Sequence, residues 1–241
     1  MVRTIGILIR KELDSAFNSW AIYTGYLLFF CICGFACWLS PGNVFTLGQA
    51  GMTPFFTVIN WIAFFIIHAL AMKSVADERR SGTLELLLTK PVTTFQLIAG
   101  KFCSYLIIIG IALFLTLPYY FTMTGLGSMD HGAVLLGYFG LILTSACYIS
   151  IGLFASSAAK TPISAFFISL GTGLCFQVLF GLLANQIPFG PVANLFGFLS
   201  LPEHFESLNR GVLDTRDLFY FLSVIVLFLA LAKLYINKYR H

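Results

Sequence analysis

The chain has 241 residues, of which 59% are hydrophobic and only 10% are charged, and its formal net charge is +4. A soluble domain carries about 25% charged residues and lacks the interior volume to hide so many apolar side chains. The composition therefore excludes an ordinary soluble protein. Apolar runs long enough to cross a bilayer as helices are visible, whereas the period-two alternation of a membrane barrel is not. We expect an all-α, polytopic protein with a single transmembrane domain over residues 1–241.

The positive charge does not indicate nucleic-acid binding, because the basic residues follow a membrane topology described below. We predict no nucleic-acid partner. Cys31, Cys33 and Cys37 lie close together in an apolar run, but no histidine or second cysteine pair accompanies them at zinc spacing. We interpret the cysteines as small buried residues and predict neither a metal nor another cofactor.

Residues 1–19 predict an amphipathic helix that lies in the membrane interface, in contact with lipid. Its apolar positions recur at helical spacing and are Ile5, Leu8, Ile9, Leu13, Ala16 and Phe17. A cleavable signal peptide is not expected, because Glu12 and Asp14 interrupt the basic region and no small-residue cleavage site follows.

Six apolar segments are predicted to span the membrane: residues 20–39, 54–72, 100–124, 133–156, 162–184 and 218–235. Trp20 and Trp38 lie near the ends of the first span, where interfacial aromatic residues are common. Pro118 is predicted to kink the third span. Thr161, followed by a proline, is predicted to cap the fifth.

The charged segment between the second and third spans, from Lys73 to Lys101, must lie outside the hydrocarbon. Burying one of its charges at the bilayer centre would cost about 2.5–3.5 kcal/mol. Residues 73–99 therefore form a polar connection between these two spans. Helix is expected to continue from the second span to residue 80, to break at Ser81-Gly82, and to resume over residues 83–89.

Two further features complete this region. Pro91 stops the short helix, and Thr93 with Gln96 has the spacing of a capping box that starts the next helix. The short helix is rich in leucine, and leucines exposed on such a loop indicate a surface for a partner protein.

Residues 185–215 are apolar but are interrupted by prolines and glycines, so a continuous span is not expected. We predict short external or re-entrant helical pieces. Ser200 and Glu203 have capping-box spacing and predict a helix over residues 201–210 that stops at Gly211. Asp217 lies at the start of the last span.

The basic residues divide strongly between the two sides of this six-span arrangement. One side receives Arg3, Arg10, Lys11, Lys73, Arg79, Arg80, Lys90, Lys101, Lys160, Lys233, Lys238 and Arg240. The other side receives Arg210 and Arg216. The positive-inside rule therefore predicts a multi-pass protein of the cytoplasmic (inner) membrane with both termini in the cytoplasm.

The string ERRSGTLELLL from Glu78 to Leu88, followed by Lys90-Pro91 and Gly100-Lys101, resembles the signature of ABC-2-type ABC transporter permeases. The turn Arg10–Leu13 is similar to the start of that family, and the six-span layout of the whole chain matches it.

Within the family, His204–Ser207, Arg210–Val212 and Asp217-Leu218 are most similar to the gliding-motility-associated permeases of the GldF type. The permeases of nitrous-oxide-reductase maturation look close too.

The resemblance implies the permease subunit of an exporter, with an ABC ATPase subunit and a second permease copy or a related permease as partners. It also implies a coupling helix in residues 73–99, which we call the cytoplasmic coupling region, and it makes residues 1–19 similar to the family's connecting helix. The implied ATPase-coupling residues are Glu78, Arg79, Gly82, Thr83, Glu85, Leu86 and Leu87.

The chain itself lacks a phosphate-binding loop of the Gly-x4-Gly-Lys-Ser/Thr type. Its Gly100-Lys101 pair is followed by Phe102, and Phe95 stands where the first glycine would be. We therefore expect a transport subunit that is not itself an enzyme, with ATP hydrolysis in a separate subunit.

Polar residues within the spans are candidates for lining a transport pathway, and we select Asn60, His68 and Gln177. Asparagine and glutamine also serve as hydrogen-bonding contacts between helices. Small residues of the fourth span, including Gly152 and Ser156, predict close helix packing.

Two alternatives stay open at this point. An intramembrane enzyme would need paired acids, a Ser–His dyad or a His/Asp metal set, whereas His68 stands alone in the core. A membrane scaffold without transport activity is the other, and an ATPase encoded beside this chain would favour a transporter over both.

Overall fold

The computed structural model describes residues 2–38, 52–88, 92–127, 129–187 and 190–238. Its helices in chain order are α1 (Val2–Phe17), α2 (Trp20–Trp38), α3 (Thr53–Ala71), α4 (Ala76–Arg80), α5 (Thr83–Leu88), α6 (Thr94–Phe114), α7 (Leu117–Thr124), α8 (His131–Ala158), α9 (Pro162–Leu174), α10 (Phe180–Gln186), α11 (Pro191–Leu199), α12 (Leu201–Asn209) and α13 (Thr215–Lys238). A π-helical turn, Cys175–Leu179, joins α9 to α10.

Within these described ranges, five helical segments are long and apolar enough to cross a membrane: Thr53–Arg80, Thr94–Thr124, His131–Ala158, Pro162–Gln186 and Thr215–Asn237. The pair α1 and α2, bent by 73° between Thr4–Phe17 and Ile22–Trp38, brings the number of candidates to six if it is counted as one span. The predicted all-α, polytopic membrane fold is confirmed.

Helix α8 is the centre of the bundle and packs against α3, α6, α9, α12 and α13. Its glycines allow these helices to approach closely. A Cβ on Gly152 would lie 2.4 Å from the Cβ of Ala71, and one on Gly137 would lie 2.4 Å from the ring of Phe56. These distances are too short for any side chain to be added without displacing α3. The predicted packing role of Gly152 is therefore confirmed.

Local capping signals were mostly correct. Thr93 and Gln96 form the predicted capping box at the start of α6, and Thr161 caps α9 with Ser164 as its partner. A kink was predicted at Pro118, and the helix is interrupted just before it, since α6 ends at Phe114 and α7 begins at Leu117. Each of these features depends only on residues close together in the sequence, so it could be predicted without knowledge of the tertiary structure.

The capping box predicted at Ser200 is wrong. Ser200 does precede α12, but its side chain makes no capping hydrogen bond. The hydroxyl faces α10 instead, where a Cβ on Gly181 would lie 3.1 Å from Ser200 Oγ, and the Glu203 carboxylate lies over Gly197. Packing between α10, α11 and α12 thus overrides the local preference. Gly211 ends this region with a φ of 84°, as its predicted stop role requires.

Candidate functional site

The coupling region is attached to α8 through one serine. The break between α3 and α4 leaves backbone N–H groups of Val75 and Ala76 without helical partners, and both donate to Ser156 Oγ at 2.9 and 3.0 Å. The same hydroxyl donates to the carbonyl of Met72 at 3.1 Å. Ser156 is therefore a hydrogen-bonding anchor as well as the small packing residue that the sequence indicated.

A buried lysine joins three elements next to this anchor. Lys101 on α6 is only 1% exposed. Its Nζ lies 2.9 Å from a carboxylate oxygen of Glu78 on α4 and 3.1 Å from one of Glu12 on α1, and it donates to the carbonyl of Ser74 at 2.8 Å. We call Glu12, Glu78 and Lys101 the Lys101 cluster. It ties the N-terminal helix, the coupling region and a membrane span together.

Close packing brings the members of the Lys101 cluster together. Leu8 on α1 is buried against α6, where a Cβ on Gly100 would lie 2.9 Å from Leu8 Cβ. Sequence reasoning used Lys101 for the topology and the family signature but predicted no ion pair for it, and it gave Glu12 no partner. One signal was available: a lysine within the first turns of an apolar helix must find acceptors if it is not to remain an unpaired buried charge.

The predicted coupling residues divide into two groups. Glu78 and Arg79 point into the bundle, Glu78 through the Lys101 cluster and Arg79 through a hydrogen bond from Nη1 to the carbonyl of Ala159 at 3.2 Å. Gly82, Thr83 and Glu85 are exposed. Glu78 and Arg79 thus attach the coupling region to the helical bundle, whereas the second group lies on the surface of the protein.

The expectation of a leucine-rich exposed face needs one correction. Leu84 is 3% exposed and belongs to the main hydrophobic core. The side chains of Leu86 and Leu87 lie outside the part of the chain that the structure describes.

The turn between α4 and α5 is held by its own hydrogen bonds. Gly82 has a φ of 72°, in the left-handed region that favours glycine. Ser81 Oγ donates to the carbonyl of Asp77 at 2.9 Å, and Thr83 Oγ1 donates to that of Glu78 at 3.2 Å. The predicted Ser-Gly break is confirmed, and hydrogen bonds from the residues on both sides of Gly82 hold the turn in place. A cavity of about 420 Å³ opens beside it, with Lys11, Lys73 and Asp77 in its lining.

The three candidate pathway residues converge on a residue that sequence reasoning missed. Tyr148 is fully buried on α8, and its hydroxyl lies 2.7 Å from Gln177 Oε1 and 3.2 Å from Asn60 Oδ1. The rings of Tyr148 and His68 lie 5.6 Å apart between centroids. We call these four residues the Tyr148 cluster. In the sequence Tyr148 is one of several hydroxyl-bearing residues in the fourth span, among them Tyr138, Thr144 and Ser150, and nothing there distinguishes it from the others.

Two features of the Tyr148 cluster are unusual for a purely structural network. Gln177 lies in the π-helical turn, a distortion that occurs frequently at functional sites. His68 Nδ1 is 2.6 Å from the carbonyl of Phe64, whereas Nε2 is buried without a hydrogen-bond partner among the described residues. A Cβ on Gly173 would lie 2.5 Å from Nε2, so this nitrogen faces the backbone of α9.

A second buried ion pair lies where α12 meets α13. His204 Nδ1 is 2.7 Å from Asp217 Oδ1, and the rings of His204 and Tyr220 are stacked with centroids 3.9 Å apart. Asn237 near the other end of α13 contacts Thr94 at the start of α6. At 1.5 Å per helical residue, Asp217 lies about 30 Å along α13 from that contact. The two ion clusters are therefore at opposite ends of the bundle.

Within the described residues, no group of three or more His, Cys, Asp or Glu side chains is arranged to hold a metal ion.

The chain is similar to known proteins over a range that includes both ion clusters. A family model described as "ABC-2 family transporter protein" matches residues 7–236, a range that includes Glu12, Lys101, Tyr148, His204 and Asp217. The chain is also similar to a protein of Pseudomonas aeruginosa described as "Probable ABC transporter permease protein NosY". The two are 29% identical over 195 residues, which cover 73% of this chain and 67% of that relative.

Proposed function

This chain belongs to the ABC-2 family of transporter proteins, and from that premise we propose that it is the permease subunit of an exporter driven by a separate ATPase subunit. The observation that carries the proposal is the Lys101 cluster. A permease without its own ATPase must receive motion at its surface and pass it to membrane spans. Lys101 bonds the coupling region to both α1 and α6, so a displacement of α4 is transmitted to two further helices.

The exposed part of the coupling region is the proposed docking surface. Gly82, Thr83 and Glu85 project from a turn whose hydrogen bonds restrict its bending, and the family resemblance adds Leu86 and Leu87 to this surface. Glu78 and Arg79 act behind it by holding α4 on the bundle. A stiff exposed element on an anchored base is the mechanical arrangement that coupling requires.

We further propose a dimer with a second copy or a related permease, with the substrate path near α3 and the α9–α10 span. Only 17% of the most apolar stretch of Pro162–Gln186 is buried within one chain, so a partner helix or lipid must cover the rest. The Tyr148 cluster lies between these elements and supplies Asn60, His68 and Gln177 as polar groups of the path. The narrower resemblance to the gliding-motility permeases supports a role in gliding motility.

The proposed topology places both termini and the coupling region in the cytoplasm, with the protein in the inner membrane. It rests on the distribution of Lys and Arg. In intact cells, the variant Asp130→Cys should react with an impermeant thiol reagent, and Ser81→Cys should react only after the membrane is opened. Labelling of Ser81→Cys from outside would overturn this orientation.

The decisive test of coupling is Glu85→Arg, measured by co-purification of the ATPase in mild detergent and by the ratio of hydrolysis to transport. We expect normal insertion with reduced co-purification or with hydrolysis uncoupled from transport. Leu87→Asp should act more strongly, because docking would bury the new charge. Glu206→Arg, which alters an exposed acid on α12, is the control. Variants that insert, bind the ATPase and transport as the wild type does would contradict the proposal.

A further inference from the structure

A large polar cavity beside the His204–Asp217 pair has no role in the function proposed above. Its volume is about 870 Å³, and it lies between the end of α10, α11, α12 and the first turn of α13. Small-molecule sites have volumes of about 300–1,000 Å³. We call it the His204 cavity. Besides the ion pair, its lining includes Asn185, Asn194, Glu203, Asp214 and Arg216.

The hydrogen bonds of His204 define its charge. Nδ1 faces Asp217 Oδ1 at 2.7 Å, and Nε2 faces the carbonyl oxygen of Phe198 at 2.8 Å. A neutral imidazole donates only one hydrogen bond, whereas both of these partners are acceptors. His204 is therefore a cation that donates twice, and it has no donor left for the cavity.

Asp217 retains an unused acceptor. The residue is 7% exposed, its Oδ1 is bonded to His204, and its Oδ2 is buried without a hydrogen-bond partner among the described residues. Leaving a buried carboxylate oxygen without a donor is destabilising, and such atoms in native proteins generally find a water or a ligand. Asp217 lines the cavity, so a small rotation of its carboxylate would present Oδ2 to a molecule inside, which can supply the missing donor.

The charges of the lining specify what kind of donor fits. Glu203, Asp214 and Asp217 bring three carboxylates, against the two cations His204 and Arg216. One negative charge is in excess, so a cationic donor is favoured over a neutral one and an anion is disfavoured.

We propose that the His204 cavity binds a primary ammonium group, which donates to Asp217 Oδ2 and is further attracted by Glu203. The ammonium group can come from a soluble amine or from the headgroup of an amine-bearing lipid. A lipid could reach the cavity along α11, whose side chains Val192, Leu195 and Phe198 are each more than 50% exposed. The recognition chemistry is the same for both sources.

The experiment uses the full chain in nanodiscs of phosphatidylcholine and follows its melting temperature during titration with ethanolamine. A ligand that binds only the folded state raises the melting temperature with concentration. Choline is the matched probe, because its quaternary ammonium has the same charge but no N–H to donate. We expect ethanolamine to stabilise the protein in a saturable manner and choline to have a much smaller effect.

Three variants test whether the stabilisation by ethanolamine arises from binding in the His204 cavity. Asp217→Asn should weaken ethanolamine binding by about 10- to 100-fold, the loss expected for one hydrogen bond to a charged group. Glu203→Gln, at a residue outside the ion pair, should weaken binding less and serves if Asp217→Asn does not fold. Glu206→Gln on the same helix, at an exposed residue, should bind as the wild type does.

A second arm separates the two sources. If the lipid headgroup is the ligand, nanodiscs containing phosphatidylethanolamine should raise the melting temperature of the wild type but not that of Asp217→Asn. No saturable effect from either source, equal effects of choline and ethanolamine, or an unchanged response of both Asp217→Asn and Glu203→Gln would overturn the proposal. The assay contains no ATPase, so a negative result leaves the proposed transport function untouched.

Discussion

Charge is buried at both ends of this helical bundle, but the two clusters differ in the helices that they join and in the size of the cavity beside them. Lys101 bonds to acids that are 89 and 23 positions away in the sequence, on α1 and α4. His204 and Asp217 are 13 positions apart and join α12 to the neighbouring α13. The Lys101 cation is surrounded by three oxygen acceptors. Each cluster keeps one buried carboxylate oxygen without a donor among the described residues, Glu78 Oε2 in the first and Asp217 Oδ2 in the second. The cavity beside Asp217 has a volume of about 870 Å³, against about 420 Å³ beside Lys101.

The difference indicates two uses of buried charge in one membrane protein. A cation that bonds several distant elements makes them move together, which suits the transmission of force. A local pair beside a large polar cavity holds two neighbouring helices together, which suits the binding of a ligand. The comparison can be tested by removing charges, hydrogen bonds and backbone restraints at each end.

Lys101→Met should have the largest effect on stability. It leaves the carboxylates of Glu12 and Glu78 only the half-exposed Lys11, whose Nζ lies 4.0 and 3.7 Å from them, in place of their buried cation. Removing one partner of a buried ion pair costs about 3–5 kcal/mol. The free energy of unfolding, measured by titration with SDS in mixed micelles, should fall by this amount. The cavity of about 420 Å³ is lined by Lys101 and also by the exposed Lys73. Lys73→Met is therefore the matched control and should change the free energy of unfolding little.

The triple variant Glu12→Gln/Glu78→Gln/Lys101→Met separates charge pairing from packing. Because no unpaired charge remains, it should recover most of the stability lost in Lys101→Met. A triple variant as unstable as the single one would mean that the lysine stem, and not its charge, holds the three helices.

His204→Phe should have a smaller effect, although it also leaves a buried carboxylate unpaired. The aromatic ring keeps the stacking on Tyr220, and water entering the His204 cavity can solvate Asp217. We expect a loss of about 2 kcal/mol in the same unfolding assay. Glu206→Gln, which removes an exposed acid paired with Arg210, is the control. A loss equal to that of Lys101→Met would contradict the proposed difference between the two ends.

Ser156→Ala tests whether α8 contributes to the stiffness of the coupling region. The substitution leaves the N–H groups of Val75 and Ala76 without their acceptor, and we expect a loss of about 1–2 kcal/mol. Ser157→Ala is a close control, because that hydroxyl is also buried but bonds only to the carbonyl of Phe154 in its own helix. Proteolysis of the coupling region should accelerate in Ser156→Ala alone. Equal effects of the two substitutions would show that the anchor has no special role.

Gly82→Ala should have the smallest effect on stability. A φ of 72° is strained for alanine, at a cost of about 1 kcal/mol. Gly110→Ala, at a helical glycine with open space around the added Cβ, should be neutral or slightly stabilising. If the turn positions the docking surface, Gly82→Ala should also lower co-purification of the ATPase. A variant with unchanged stability and docking would remove the turn from the coupling mechanism.

Sequence reasoning succeeded where the physical cause is local. The capping boxes at Thr93 and Thr161 and the break at Gly82 depend on residues within a few positions of each other. It failed at Ser200 because a helix distant in sequence, α10, packs against that serine. Leu84 was expected on a surface and is buried for the same reason: contacts with the bundle decide which side of a short helix is covered.

The candidate sites were predictable to different degrees. The resemblance pointed to the coupling region and to the segment around His204, and polarity within spans selected Asn60, His68 and Gln177. Tyr148, which these polar residues surround, and Glu12, which completes the Lys101 cluster, were missed. Each acquires its significance from a partner on another helix, and no spacing along the chain reveals that partner.

The sequence by itself determined that this protein is an all-α membrane protein of the ABC-2 type, because hydrophobic composition and a long contiguous signature are properties of the chain alone. Only the tertiary structure decided which charges are paired. The apolar spans exclude water, so every ionic group near them must find a partner, and the glycine-lined contacts of α8 and α6 determine which helices come close enough to supply one. The Lys101 cluster and the His204–Asp217 pair are both consequences of that packing.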